Sequence, residues 1–433
     1  MAAQQPALSR AVKWPRAQVV GAGTLRIWQA AGLGLVLTIG QVVLACALSG
    51  ETNVQEAYSQ LVQWDGAWYA DIARHGYYSP KPLAPPPGEF DMRIKVRVDS
   101  PFGNVAFFPG YPLLVSGIMH LLKLPVEYAL LLVSQLGCWV FWTYLLLFFR
   151  RWDTPVGLAA LGVLAIVLHP GAFYLVASYS ESLYLAALLG FLYWAEQRRW
   201  GVGAAALHGF VMTATRLIGL PLIVYPMIRE SLGSTRQSMT LRRALVPIFL
   251  GGCAGLGSAL FFGFCQWRFG QWNLYMKTEE IGWGVRPHYF GVFVLKGFGL
   301  HWPHLAQIGS LGLFVNSLVI PATVLFFAAI FIVEWRLARS CLDSGWRQRI
   351  GYYVCGALMF YICGCSHYRS MIRFTTCMQA VMVIGVVHLL GRIWPVAIFR
   401  GRWISSCLLL LGLCNLSMQI MLTYMYTHGC WVA

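Results

Sequence analysis

The chain has 433 residues, of which 58% are hydrophobic and only 11% charged. A soluble globular chain carries about a quarter charged residues, and a larger core cannot make up that deficit, because a water-facing surface needs its charges. The formal charge of +16 marks no nucleic-acid module: no basic domain stands apart, and membrane proteins collect Lys and Arg in cytoplasmic loops for topological reasons. The composition predicts an all-α polytopic membrane protein in contact with membrane lipids and without a nucleic-acid partner.

In chain order, Arg10, Lys13, Arg16 and Arg26 precede an apolar run at 28–48. That run is long for a signal peptide and no small-residue cleavage site follows, so it reads as the first span. Further spans are expected at 127–149, 156–177, 182–196, 245–266, 307–333, 351–365, 372–391 and 404–425, each compared with a hydrocarbon core of about 30 Å. His169-Pro170 predicts a kink inside 156–177. The apolar stretch 203–229 has Arg216 near its middle and reads as two short helical pieces meeting at the outer side. The run 107–122 opens Phe107-Phe108-Pro109-Gly110-Tyr111-Pro112, with prolines where missing N–H donors do least harm, and suits a re-entrant or surface-lying helix. About 10–11 crossings result.

With the N-terminus cytoplasmic, the inner segments hold 19 of the 32 Lys and Arg, and the outer side, counting Glu127 at the outer end of its span, 11 of the 16 Asp and Glu. This is the bias of the positive-inside rule. The first outer loop is then 49–126, carrying an interfacial helix, and the second is 267–306. No repeat or linker divides the chain, and a single domain over 1–433 is expected. Pro80-Lys81-Pro82-Leu83-Ala84-Pro85-Pro86-Pro87 reads as a short extended loop. The twelve cysteines fall mostly in apolar blocks and read as small apolar residues.

Polar residues at membrane depth are costly unless they serve a cavity or a partner. Under this threading they gather on the outer side. The first loop carries Trp64-Asp65-Gly66-Ala67-Trp68-Tyr69, then Asp71 and His75. Phe108, Tyr111, Tyr179, Glu181, Arg216, Arg369 and Arg373 follow on later segments. Each has a plain alternative. Trp64, Trp68 and Tyr69 suit an interfacial aromatic belt. Asp65 suits a helix N-cap as well as a catalytic acid. Arg216 wants an anion, either a bound phosphate or Glu181. Arg369 and Arg373, spaced i, i+4, suit either a grip on one anionic group or ordinary loop charges. His75 suits a satisfied polar role.

Trp-Asp-Gly-Ala-Trp-Tyr (64–69), Ala-Phe-Phe-Pro-Gly-Tyr-Pro (106–112), Tyr-Ser-Glu-Ser-Leu (179–183) and Ala-Thr-Arg (214–216), in that order, resemble the PIG-V type of mannosyltransferase. This is the GPI mannosyltransferase 2 family with its bacterial relatives, to whose members Arg-Phe-Gly (268–270), Trp-Gly (283–284) and Arg-Phe (373–374) are also similar. The resemblance implies a GT-C fold in a bacterial cell membrane, or in the endoplasmic reticulum of a eukaryote. It implies an inverting transfer from a polyprenyl- or dolichyl-phosphate-mannose donor to a glycolipid or glycan hydroxyl on the non-cytoplasmic face. Asp65 takes the place of the family's Trp-Asp acid and becomes the candidate general base. Arg216, with Arg369 as alternate, becomes the partner of the leaving phosphate. Trp64, Trp68, Tyr69, His75, Phe108, Tyr111, Tyr179, Glu181 and Arg373 become donor- or substrate-binding candidates. No cofactor is assigned, and a divalent metal stays open because some GT-C enzymes use one. A flippase of lipid-linked sugars is the main rival, although neither related halves nor mid-bilayer polar groups stand out. A non-catalytic subunit of a glycolipid-synthesising complex is the third reading.

Overall fold

The computed structural model describes residues 25–79, 103–197, 201–233, 241–285, 308–339, 345–366, 370–393, 402–430 and 432. The elements among them are helices, with no strand among the described residues. The first half of the chain forms α1 (Ile27–Ala47), α2 (Val54–Ser59), α3 (Asp65–His75), α4 (Gly110–Leu122), α5 (Val126–Arg151), α6 (Val156–Val167), α7 (Glu181–Ala195) and α8 (Val202–Thr215). The second forms α9 (Tyr225–Gly233), α10 (Leu241–Phe269), α11 (Leu274–Trp283), α12 (Ile308–Arg339), α13 (Trp346–Ser366), α14 (Met371–Ile393) and α15 (Arg402–Thr427). Among the described residues the 3₁₀ segments Ala172–Leu175 and Leu217–Val224 join neighbouring helices.

Among the described residues six helices are long and apolar enough to cross a membrane: Ile27–Ala47, Val126–Arg151, Leu245–Phe269, Leu318–Arg339, Met371–Arg392 and Ser405–Thr427. This is the architecture of a multi-pass membrane protein. Of the other expected spans, 156–177 is helical only to Val167 and then breaks around His169-Pro170, as the kink foresaw. There Gly171 N donates to His169 Nδ1 at 3.0 Å. The 15 residues of α7 reach only about 22 Å.

That short helix is the middle of the fold. Residues Tyr184 to Leu192 of α7 are buried without interruption, as expected of a helix that is apolar all round. It packs between α5 and α8, with α10 behind α8 and α14 against α13. Polar contacts add direction where apolar packing alone does not. Gln41 Oε1 on α1 accepts from Trp142 Nε1 on α5 at 2.8 Å. Ser182 Oγ at the start of α7 donates to Ser134 O on α5 at 2.7 Å.

Each end of α7 carries an acid. At its C-terminal end Glu196 accepts from Tyr225 Oη at 2.6 Å, Tyr352 Oη at 2.8 Å and Arg151 Nη1 at 2.9 Å. Tyr225 opens α9, so the chain that left this end along α8 has turned at Arg216 and come back, as the broken stretch 203–229 predicted. The N-terminal end, where Glu181 lies, is the other pole.

Candidate functional site

Four distant segments meet at the Glu181 end of α7. The first is α3, whose opening residue is Asp65. Trp64 before it has a φ of 51°, a region that costs a bulky residue about 1–3 kcal/mol. Gly66 lets α3 lie against the segment before α7: a Cβ there would stand 2.1 Å from Ser178 Oγ. Tyr69, one turn after Asp65, brings its hydroxyl 2.9 Å from Ser180 Oγ, and burial raises its pKa.

The second and third segments are α7 and the break after α8. Arg216 adopts extended backbone, φ −154° and ψ 138°, between α8 and the following 3₁₀ turn. Gly110 seats α4 against that break, since a Cβ would meet Ala214 backbone atoms at 2.9 Å. Arg216 Nη1 donates to Glu181 Oε1 and, at 3.2 Å, to Ser180 Oγ. The fourth segment is α14. Arg373 Nη1 donates to Asp65 Oδ2 at 2.6 Å, and its Nε stands 2.6 Å from Glu181 Oε1 in an ion-pair contact that is not aligned as a hydrogen bond. The Arg373 guanidinium also lies over the Tyr179 ring, 5.1 Å from its centroid.

Two carboxylates and two guanidiniums therefore balance in one buried cluster. Glu181 is fully buried, while the Asp65 side chain keeps 18% exposure. Buried ion pairs are poor stabilising devices, because removing charges from water costs several kcal/mol per ion. Unpartnered polar atoms beside it point to a binding role. Glu181 Oε2 and Trp64 Nε1 are buried without a hydrogen-bond partner among the described residues, a state that native interiors mostly avoid. Asp65 Oδ1 likewise accepts no hydrogen bond there, so one oxygen of Asp65 is anchored and the other is open.

The structure thus gathers Asp65, Tyr69, Tyr179, Glu181, Arg216 and Arg373, with Trp64 alongside. The ion-pair alternative for Arg216 holds, and so does the view of Arg373 as more than a loop charge. The other described candidates lie outside the ion-paired cluster, although the Tyr111 ring packs edge-on against Tyr69 with centroids 4.7 Å apart. Tyr111 is fully buried, its hydroxyl 2.8 Å from both Leu130 O and Ser134 Oγ on α5. Phe108 packs against Phe261 and Tyr275, with ring centroids 4.8 and 5.0 Å away. Trp68, 2% exposed, stacks on Phe107 at 5.8 Å and is an inward-facing residue, not part of an interfacial belt. His75 Nδ1 lies 3.0 Å from Asp71 Oδ1 at the far end of α3, while Asn104 Nδ2 donates to Asp71 Oδ2 at 3.0 Å and ties the loop. Arg369 lies outside the described residues.

One residue of the site was not foreseen. Glu279 on α11 is partly buried, and the Tyr275 hydroxyl one turn before it acts on its carboxyl. Burial pushes its carboxyl up to about 7. The Tyr275 hydrogen bond opposes the rise, the negative charge of Asp65 adds to it, and Arg373 and Arg216 pull it back. The available signal was the i, i+4, i+8 spacing of Tyr275, Glu279 and Trp283. Among the described residues no group of three His, Cys, Asp or Glu is arranged to hold a metal ion.

The fold and site define a class, a helical multi-pass membrane protein with a buried acid–guanidinium cluster at one pole. No known family model matches the chain, and none of the curated proteins does.

Proposed function

We propose that the protein is a membrane glycosyltransferase that moves a sugar, mannose by the resemblance, from a lipid-phosphate donor to an acceptor hydroxyl on the non-cytoplasmic face. The observation that carries this reading is the meeting of Asp65, Glu181, Arg216 and Arg373 in one buried cluster. Such a transfer needs a base beside a cationic hold for the leaving group. The open Oδ1 of Asp65 suits the base, and Arg373 on the other oxygen holds the carboxylate in place.

In the reaction, the acceptor oxygen attacks the anomeric carbon and its proton passes to Asp65. The bond between that carbon and the phosphate oxygen breaks, and the lipid phosphate leaves with the electron pair. The transition state is oxocarbenium-like, as in glycoside chemistry generally. Arg216 and Arg373 supply donors where negative charge grows on the phosphate. Arg216 is shared between Glu181 and Ser180, so it can offer a further N–H to the phosphate without giving up its acid.

The test is reconstitution of the purified protein in vesicles with labelled polyprenyl-phosphate-mannose and a mixed pool of glycolipid acceptors. Appearance of label in a glycolipid, with release of the lipid phosphate, is expected. Movement of intact donor between leaflets without cleavage would favour the flippase instead.

A further inference from the structure

Aromatic contacts hold α11 against Trp68, Phe107 and Phe108, next to the segments that carry the charged cluster. Tyr275, Glu279 and Trp283 are spaced i, i+4, i+8 and so share a stripe along the helix. Its C-terminal end is seated by Trp283, whose ring lies 5.6 Å from Trp68 and 5.5 Å from Phe107. Its N-terminal end is seated by Tyr275 on Phe108. Glu279, midway between the two anchors and next to the buried Thr278, is partly buried, while Lys277 and Glu280 lie on the exposed side. Gly284, with a φ of 66°, ends the helix directly after the second anchor.

The groups that act on Glu279 are Tyr275 on its own helix, Asp65 from α3, Arg216 from the break after α8 and Arg373 from α14. From α10, Cys265 joins the aromatic cluster beneath Tyr275, and Arg268 is exposed. Among the described residues Asp65 and Glu181 balance Arg216 and Arg373, so ionisation of Glu279 adds one negative charge to that balanced set. An arriving phosphate meets least repulsion when Glu279 is protonated, and in that form the carboxyl is a hydrogen-bond donor.

We propose that Glu279 is a further ligand-binding residue of this site, a protonated carboxyl on a roofing helix that donates a hydrogen bond to the anionic headgroup held by Arg216 and Arg373. This rests on the lipid-phosphate reading above. It adds that the headgroup binds together with a proton, and that α11 is the element which closes over it. Titration of the carboxyl near neutrality, where burial and the Asp65 charge have moved it, places this coupling in the working pH range.

The experiment is binding of farnesyl methyl phosphate, a prenyl phosphodiester whose single charge stays constant near neutral pH, to the full-length protein in detergent. The parent should bind about tenfold more weakly at about pH 8 than at about pH 6, as expected when the bound form needs a proton that the free site loses near pH 7. Calorimetry of the parent in buffers of different ionisation enthalpy should find uptake of about half a proton per ligand near pH 7, a measurement that needs no variant. Glu279→Gln, which keeps a neutral donor, should bind with little pH dependence and take up no proton. A parent whose affinity ignores pH and which takes up no proton, or a Gln variant with the parent's pH profile, would overturn the role of Glu279 alone. Failure of the diester to bind at every pH would remove the lipid-phosphate reading, and this role with it.

Discussion

Arg373 on α14 holds Asp65 Oδ2 at 2.6 Å, closing a contact between residues 308 positions apart. The same guanidinium reaches Glu181, so one side chain spans the outer loop, the central helix and a late span. Removing it leaves Asp65 without its partner and Glu181 with Arg216 alone in a water-poor site. Arg373→Ala should lower stability by about 3–5 kcal/mol, the usual cost of breaking a buried pair from one side. Thermal unfolding in detergent checks this. A change within about 1 kcal/mol, the range of surface pairs, would mean that the cluster is effectively solvated.

Gly110 and Gly117 lie on the same helix and make a matched pair of substitutions. A methyl group at Gly110 would press on the Ala214 backbone at 2.9 Å, whereas nothing lies within 4 Å at Gly117. Gly110→Ala should cost about 1–3 kcal/mol by overpacking and weaken phosphodiester binding by shifting Arg216. Gly117→Ala should be neutral or stabilise by about 0.5–1 kcal/mol through its helix propensity. Equal behaviour of the two would contradict the role given to the α4–α8 contact.

Tyr111 tests whether a motif residue serves packing or ligand. Its hydroxyl lies against α5, not against the cluster. Tyr111→Phe should cost about 0.5–1.5 kcal/mol of stability for a lost hydrogen bond while donor KM stays unchanged. A donor KM altered by more than about threefold would return Tyr111 to the binding site.

The docking of α11 should depend on pH with a definite sign. The Glu279 carboxyl rises from an ordinary value of 4.5 to about 7 on folding, so the folded state binds the proton more tightly. Its contribution is complete below about pH 4.5 and declines as pH climbs through about 7, beyond which no more is lost. Hydrogen exchange, corrected for intrinsic rates, should show α11 amides better protected at about pH 5 than at about pH 8. The difference should vanish in Glu279→Gln, and its persistence there would assign it to another group.

Much of the scaffold was legible because hydrophobic blocks report membrane depth directly. The break at Arg216, the return of the chain toward Glu196 and the helix opening at Pro109 all followed from charge and proline placement. The short central helix was not legible, since an apolar run of fixed length does not say whether lipid or protein surrounds it. At the site, short-range strings identified Asp65, Glu181 and Arg216 but could not say which residues point inward. Trp68 and Tyr111 carry the same aromatic signature as interfacial or ligand-facing residues, and only packing separates them. The string could not show that His75 sits at the other end of α3 from Asp65, against Asp71. Glu279 escaped notice because its importance depends on where α11 lands, which the Trp283 and Tyr275 anchors decide.

The central claim is most directly tested by the turnover of Asp65→Asn with labelled polyprenyl-phosphate-mannose, alongside its binding of the donor. The account predicts donor affinity close to the parent's and transfer reduced by about 10²–10⁴-fold, the usual contribution of a positioned general base. Transfer at the parent's rate by a correctly folded Asn variant would contradict it.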